Sequence, residues 1–134
     1  MPLPITSVTA ALLALLLLAL AVQTVRQRFR LQIGFGDGGD QSLISASRSH
    51  GNLAEHAPIV LIMLGLLEYG EANGQVLMAI ACAFVIGRLA HAIGLHGKVE
   101  PGKPPLLRQA GVIITWLTIL ALSVMLLLGV FARA

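Results

Sequence analysis

Three polar residues stand at helical spacing where an otherwise apolar stretch begins. Arg48, Asn52 and Glu55 are separated by four and three positions, so a helix stacks them on one face. His56 lies at the edge of that face, and the chain then turns apolar over residues 59–67. Ionisable residues cost free energy inside a membrane and are therefore candidates for function. A purely structural alternative is that Arg48 and Glu55 neutralise each other while Asn52 cross-links neighbouring helices.

Further basic residues lie near the ends of the other apolar segments. Arg88 and His91 are one turn apart toward the end of the third segment, and Arg108 is in the first turn of the fourth. Arg26 follows the first segment. In a helix bundle that runs up and down, the end of one helix lies beside the start of the next. We therefore expect Arg88, His91 and Arg108 to converge with the Arg48 face at one end of the bundle.

The composition is that of an integral membrane protein. Of the 134 residues, 57% are hydrophobic and 11% are charged, and the mean hydropathy is +0.87, whereas soluble domains carry about 25% charged residues. Long apolar runs without strand alternation predict helices, which satisfy their own backbone hydrogen bonds in lipid. The predicted fold is all-α, a single four-transmembrane-helix bundle over residues 1–134 with helices at about 5–25, 43–69, 76–95 and 106–131.

The distribution of charge predicts the orientation. The loops after the first and third segments are expected to hold five basic residues outside the helices, which are Arg26, Arg28, Arg30, Lys98 and Lys103. The second loop carries none, and its Glu68 and Glu71 are expected to be solvated charges. The positive-inside rule then predicts that both termini lie outside and that the polar cluster faces the cytoplasm. The net charge of +3 is explained in this way, and we expect no nucleic-acid partner.

The polar motif resembles the signature of a known family. The pattern Arg-x-x-x-Asn-x-x-Glu-x-x-Pro over residues 48–58 resembles that of the MAPEG family, the membrane-associated proteins in eicosanoid and glutathione metabolism. The glycine-rich residues 34–40 are similar to a turn of its bacterial members, and residues 87–91 (Gly-Arg-Leu-Ala-His) resemble its Arg-Leu-x-Tyr stretch. The resemblance covers nearly the whole chain. It implies a homotrimer in the bacterial inner membrane with a glutathione site between neighbouring subunits.

The same resemblance implies glutathione as co-substrate and a hydrophobic small molecule as its acceptor. It implies substrate-binding roles for Arg48, Asn52, Glu55, His56, Arg88 and His91, and catalytic roles for Arg26 and Arg108. Arginine forks suit the carboxylates of glutathione, and Glu55 suits its amine. Arg108 is the expected stabiliser of the thiolate, which attacks the acceptor in conjugation or in peroxide reduction.

Two other functions stay open. Small proton-coupled multidrug exporters are also four-helix proteins, but they typically place their essential Glu in the first helix, where this chain has no acid. A non-catalytic binding or scaffold member of the family is the second alternative, because His91 and Leu95 replace tyrosines. No metal is expected, since the four histidines match no ligand spacing. Cys82 lies mid-segment and is expected to be a packing residue.

Overall fold

The computed structural model describes residues 2–96 and 105–131. Within these ranges the chain forms four helices and no strand: α1 (Pro4–Leu31), α2 (Gln41–Tyr69), α3 (Gly74–His96) and α4 (Leu106–Phe131). Each helix contains an apolar window long enough to cross a bilayer. The all-α prediction is confirmed for the described residues, and the chain is a multi-pass membrane protein. Lys98 and Lys103 lie outside the described residues.

The helices pack as two antiparallel pairs. α1 packs along α2 and α3 along α4, and α2 also contacts α3 and α4. The centre is closed by large apolar side chains that are almost fully buried, among them Leu13, Leu64, Leu77, Phe84 and Leu122. Large apolar side chains such as Leu15, Leu120 and Leu127 are instead exposed on the outer surface. In a bilayer that outer surface contacts lipid, where apolar exposure carries no hydrophobic cost.

Helix α1 continues to Leu31, six residues beyond its expected end near residue 25. Arg28 and Arg30 lie in its last turn, where cations interact favourably with the negative end of the helix dipole. Gln32 ends the helix in the left-handed conformation (φ 55°), and its N–H reaches the last carbonyls. Basic residues that were assigned to the first loop are therefore part of the helix.

Two of these arginines hold the glycine-rich loop. Arg28 donates from Nη1 to the carbonyls of Gly34 (3.2 Å) and Gly36 (3.0 Å). Arg30 donates from Nη2 to Ser42 Oγ (2.9 Å) at the start of α2. Positive φ angles, which suit glycine, occur at Gly36, Gly38 and Gly39 (69°, 58° and 74°). The loop is thus a compact turn fixed to the end of α1.

Helix α2 begins at Gln41, two residues before its expected start, because Asp40 caps it. The Asp40 carboxylate accepts the backbone N–H groups of Ser42 (2.9 Å) and Leu43 (3.0 Å) and the Ser42 hydroxyl. The hydrogen bond from the Ser42 side chain, with those from the backbone, holds the pKa of Asp40 below its usual value. The helix then continues past Pro58 to Tyr69.

The expectation that Glu68 is a solvated loop charge was wrong. Its carboxylate accepts the backbone N–H groups of Ile5 and Thr6 (both 2.8 Å) and the Thr6 hydroxyl (2.6 Å). The N-cap residue of α1, Leu3, has no side chain that can do this. Unpaired N–H groups at a helix start need a partner, and here the end of α2 supplies it. Glu71, by contrast, is exposed as expected.

Candidate functional site

Glycines bring α3 and α4 into close contact at the end of the bundle that carries the polar residues. A Cβ added at Gly111 would lie 2.5 Å from the carbonyl oxygen of Gly87 and 2.7 Å from His91 Cβ. One added at Gly94 would collide with the backbone of Arg108, whose Cα would be 3.0 Å away. Such short distances leave no room for a side chain. Because Gly94 and Gly111 have no side chains, Arg108 packs against the last turns of α3 and His91 packs against α4.

Arg88 is buried beside this contact, with 3% of its surface exposed. Its Nη1 donates to Asn52 Oδ1 (2.5 Å) and its Nη2 to the carbonyl of Gly111 (3.0 Å), so it joins α2, α3 and α4. Its Nε has no partner, and no carboxylate of the described residues forms an ion pair with it. Because Asn52 Oδ1 is taken by this bond, the Asn52 amide group is left as a donor.

A polar cavity of about 240 Å³ opens between α2, α3 and α4. It is lined by Gln41, Ile44, Ser45, Arg48, Asn52, His91, Leu95 and Arg108. The lining contains two guanidinium groups and no acidic residue. The cavity is therefore suited to an anion, and its arginine forks are suited to carboxylates.

The structure brings together four of the eight residues chosen from the sequence as site residues. Arg48, Asn52, His91 and Arg108 line the cavity. Arg88 stands behind Asn52 and orients it, and it does not belong to the lining. The predicted convergence of helix ends thus places these five residues within one cluster.

The other three residues lie away from the cavity in a single subunit. Glu55 is exposed on α2 and makes no hydrogen bond with a described residue, and Arg26 is exposed near the end of α1. His56 is half-buried, and its Nδ1 lies 2.8 Å from the backbone oxygen of Asn52. Since a carbonyl only accepts, this Nδ1 carries a proton that it donates. In the neutral ring, His56 Nε2 is left as an acceptor.

Two polar cavity residues, Gln41 and Ser45, were missed by the sequence analysis. They precede Arg48 and Asn52 at the spacing 41, 45, 48, 52, which is one continuous helical face. That signal was present in the sequence. Gln41 was missed because the helix was expected to begin at residue 43, whereas Ser45 lay inside the expected helix and was overlooked.

Comparison with known proteins gives two kinds of match. The sequence model of the MAPEG family matches residues 6–128. The inner membrane protein YecN of Escherichia coli strain K12 is 31% identical over 116 residues, which cover 87% of this chain and 85% of YecN. The YecN protein of Escherichia coli O6:H1 matches with the same figures. No solved structure matches the chain significantly.

Proposed function

This chain belongs to the MAPEG family, and we propose that it is a membrane-embedded glutathione transferase acting on hydrophobic electrophiles. The observation that carries the proposal is the cavity between α2, α3 and α4, with Arg48 and Arg108 in its lining and no acidic residue. Glutathione is an anion with two carboxylates and a thiol. A cavity of donors and cations matches that chemistry.

We assign a different side chain of the cavity to each end of glutathione. Arg48 forms a bidentate pair with one carboxylate, and the Asn52 amide donates to a second carboxylate or a peptide carbonyl. Arg88 holds the Asn52 amide in that orientation through its 2.5 Å bond to Oδ1. Because Arg88 cannot lose its proton, that orientation does not change with pH in the physiological range.

The amine of glutathione needs an acid that the cavity of one subunit does not contain. We assign it to Glu55, which is exposed on the outside of α2. In the homotrimer that we propose, Glu55, His56 and Arg26 face a neighbouring subunit and complete its site. The exposure of Glu55 and Arg26 in the isolated chain supports this arrangement, since a membrane-embedded charge without a partner is costly.

The chemical step is activation of the thiol. A free thiol has a pKa of about 8.5 and is mostly protonated at neutral pH, and each unit by which a cation lowers it corresponds to about 1.4 kcal/mol. Arg108 lies at the cavity and is the proposed thiolate stabiliser. The thiolate attacks an electrophile that arrives through the bilayer. An apolar groove of about 460 Å³ between α1 and α2, lined by residues such as Leu17, Ala54 and Leu61, can hold such a molecule.

Two competing functions make different demands on the site. A proton-coupled exporter needs a carboxylate on the transport path, and Glu55 lies on the outer surface and not in the cavity. That position speaks against the exporter. A non-catalytic member would bind glutathione without forming a thiolate. Peroxide reduction starts from the same thiolate and differs only in the acceptor.

The experiment is a conjugation assay on the purified protein in detergent, with glutathione and an activated aryl halide. We expect the Arg48→Ala variant to raise KM for glutathione by about 10-fold or more, since a hydrogen bond to a charged group contributes about 1.5–3 kcal/mol. Arg30→Ala is the matched control because Arg30 is exposed and outside the cavity. The absence of both conjugation and peroxide reduction at saturating glutathione would overturn the proposed activity.

A further inference from the structure

A groove at the end of α1 shares no lining residue with the polar cavity. It has a volume of about 370 Å³ and is lined by Val25, Arg28, Phe29, Gln32, Ile33 and Gly34. Val25, Phe29 and Ile33 are apolar, and Phe29 has 72% of its surface exposed. The described lining includes one guanidinium group and no acidic residue. The groove therefore combines an apolar surface with a positive charge.

The groove lies where α1 passes from the hydrocarbon core of the bilayer into the headgroup layer. The 28 residues of α1 extend for about 42 Å at 1.5 Å per residue, whereas the hydrocarbon core is about 30 Å thick. The start of α1 is capped by Glu68 at the opposite side of the bundle. Counted from that side, about 20 residues cross the core, so Val25 lies near its boundary and Arg28 lies among the headgroups.

The glycine-rich loop holds Arg28 at the groove. Its Nη1 donates to the carbonyls of Gly34 (3.2 Å) and Gly36 (3.0 Å), which uses both hydrogens of that nitrogen. Its Nη2 and Nε make no hydrogen bond with a described residue, so they are free to bind an anion. Asp37, the acid within the loop, accepts the N–H of Gly39 (3.0 Å) and does not line the groove.

We propose that this groove binds one anionic phospholipid, with an acyl chain along Val25 and Phe29 and the phosphate against Arg28. Val25 and Phe29 are one turn apart and form an apolar row along the helix, which is the direction of an acyl chain in a bilayer. A guanidinium binds phosphate oxygens through two N–H groups at once. An anionic headgroup is preferred because a zwitterionic one brings its own cation near Arg28. The site is independent of the proposed glutathione site.

Arg30 offers a comparison within the same turn of α1. It is two positions further along, on another side of the helix, and it does not line the groove. Its Nη2 donates to Ser42 Oγ (2.9 Å), and its charge acts on the Asp40 carboxylate at the start of α2. Two arginines at the same level of the membrane therefore have different partners, and only Arg28 is placed to bind a lipid in the groove.

Quenching of tryptophan fluorescence by brominated lipids measures which lipid occupies the groove. Trp116 is the single tryptophan of the chain, so Phe29→Trp in a Trp116→Phe background reports from the groove alone. The protein is reconstituted in mixtures of phosphatidylglycerol and phosphatidylcholine, one of them brominated. We expect phosphatidylglycerol to be preferred about 5-fold, the factor that one basic residue gives at an anionic membrane surface. Trp116 of the unmodified protein, exposed on α4, is the control position and is expected to report no preference.

Variants of the two arginines separate a charge in the groove from a charge nearby. We expect Arg28→Gln to abolish the preference and Arg28→Lys, which keeps the charge, to retain it, while Arg30→Gln leaves it unchanged. Equal quenching by both lipids at Phe29→Trp would overturn the proposal, as would equal effects of Arg28→Gln and Arg30→Gln. Loss of the preference in Arg28→Lys would assign it to the loop and not to the charge. Quenching by neither lipid would show that a second copy of the chain covers the groove, which also overturns the proposal.

Discussion

Arg88 is a buried cation that acts through its neighbours. With 3% of its surface exposed, it satisfies two of its nitrogens through Asn52 and the carbonyl of Gly111. A buried charge is costly unless its hydrogen bonds are made. We propose that the buried guanidinium serves to fix the Asn52 amide for a ligand and to add positive potential behind the cavity.

A double-mutant cycle tests this coupling. Arg88→Met keeps an extended side chain but removes the donors, and Asn52→Ala removes the acceptor. We expect each change to weaken glutathione binding by about 10-fold, since the lost bond is charge-assisted and contributes about 1.5–3 kcal/mol. The double variant is expected to bind much as Asn52→Ala does, because Arg88 acts on glutathione through the Asn52 amide, which that variant already lacks. Fully additive losses in calorimetric titrations would contradict the coupling.

At the residue scale, the sequence predicted part of the site. The spacing of Arg48 and Asn52, with the up-and-down course of the helices, was enough to bring them near His91 and Arg108. The bond between Arg88 and Asn52 was not predictable, because it joins positions 36 residues apart through the packing of two helices. Helical spacing also aligned Glu55 with Arg48, but it could not show that only one of them lines the cavity.

Helices α3 and α4 are held at a short separation by glycine. We expect Gly111→Ala to destabilise the protein by about 1–3 kcal/mol, because the new Cβ would meet the Gly87 carbonyl oxygen at 2.5 Å and His91 Cβ at 2.7 Å. Gly129→Ala on the same helix is the control, since nothing lies within 4 Å of its added Cβ. Thermal unfolding in detergent compares the two variants. Equal melting temperatures would show that the contact is looser than described.

Helix α1 is fastened at its start by Glu68 of α2. Replacing Glu68 with Gln keeps the shape but removes the charge that accepts three hydrogen bonds from Ile5 and Thr6. We expect a loss of about 1–2 kcal/mol, as for a helix cap. Glu71→Gln is the control because Glu71 is exposed in the adjoining loop. The comparison uses unfolding midpoints at neutral pH, and a Glu71→Gln variant as unstable as Glu68→Gln would contradict the account.

At the element scale, apolar runs located the helices but not their ends. The end of α1 depends on a left-handed Gln32 and two arginines, and the start of α2 depends on the Asp40 cap. Glu68 was misjudged because its partners precede it by more than 60 residues. A carboxylate at the end of an apolar run has the same sequence context whether it is solvated or caps another helix.

Positive charge in the described part of the molecule is concentrated at one end of the helix bundle. The polar cavity, Arg26, Arg28 and Arg30 all lie where α1 ends and α2 begins. At the opposite end, the described turn between α2 and α3 carries Glu71 and no Lys or Arg. The positive-inside rule predicts that the positively charged end faces the cytoplasm.

Labelling of single cysteines with a membrane-impermeant maleimide tests that orientation. In a Cys82→Ala background, Phe35→Cys places a thiol in the glycine-rich loop and Gln75→Cys places one at the start of α3, both at exposed positions. We expect Gln75→Cys to react in intact cells with a permeable outer membrane and Phe35→Cys to react only after the inner membrane is opened. The reverse pattern would place the cavity on the outer side.

The most direct test of the account is equilibrium binding of glutathione to the purified protein, with the ultraviolet absorbance of the thiolate as a second readout. We predict saturable binding with a thiolate signal. Arg48→Ala is expected to weaken binding, and Arg108→Ala is expected to lose thiolate signal while binding persists, because the two arginines serve different parts of the ligand. Absence of binding at roughly millimolar glutathione, or binding unaffected by either change, would contradict the assignment of the cavity as a glutathione site.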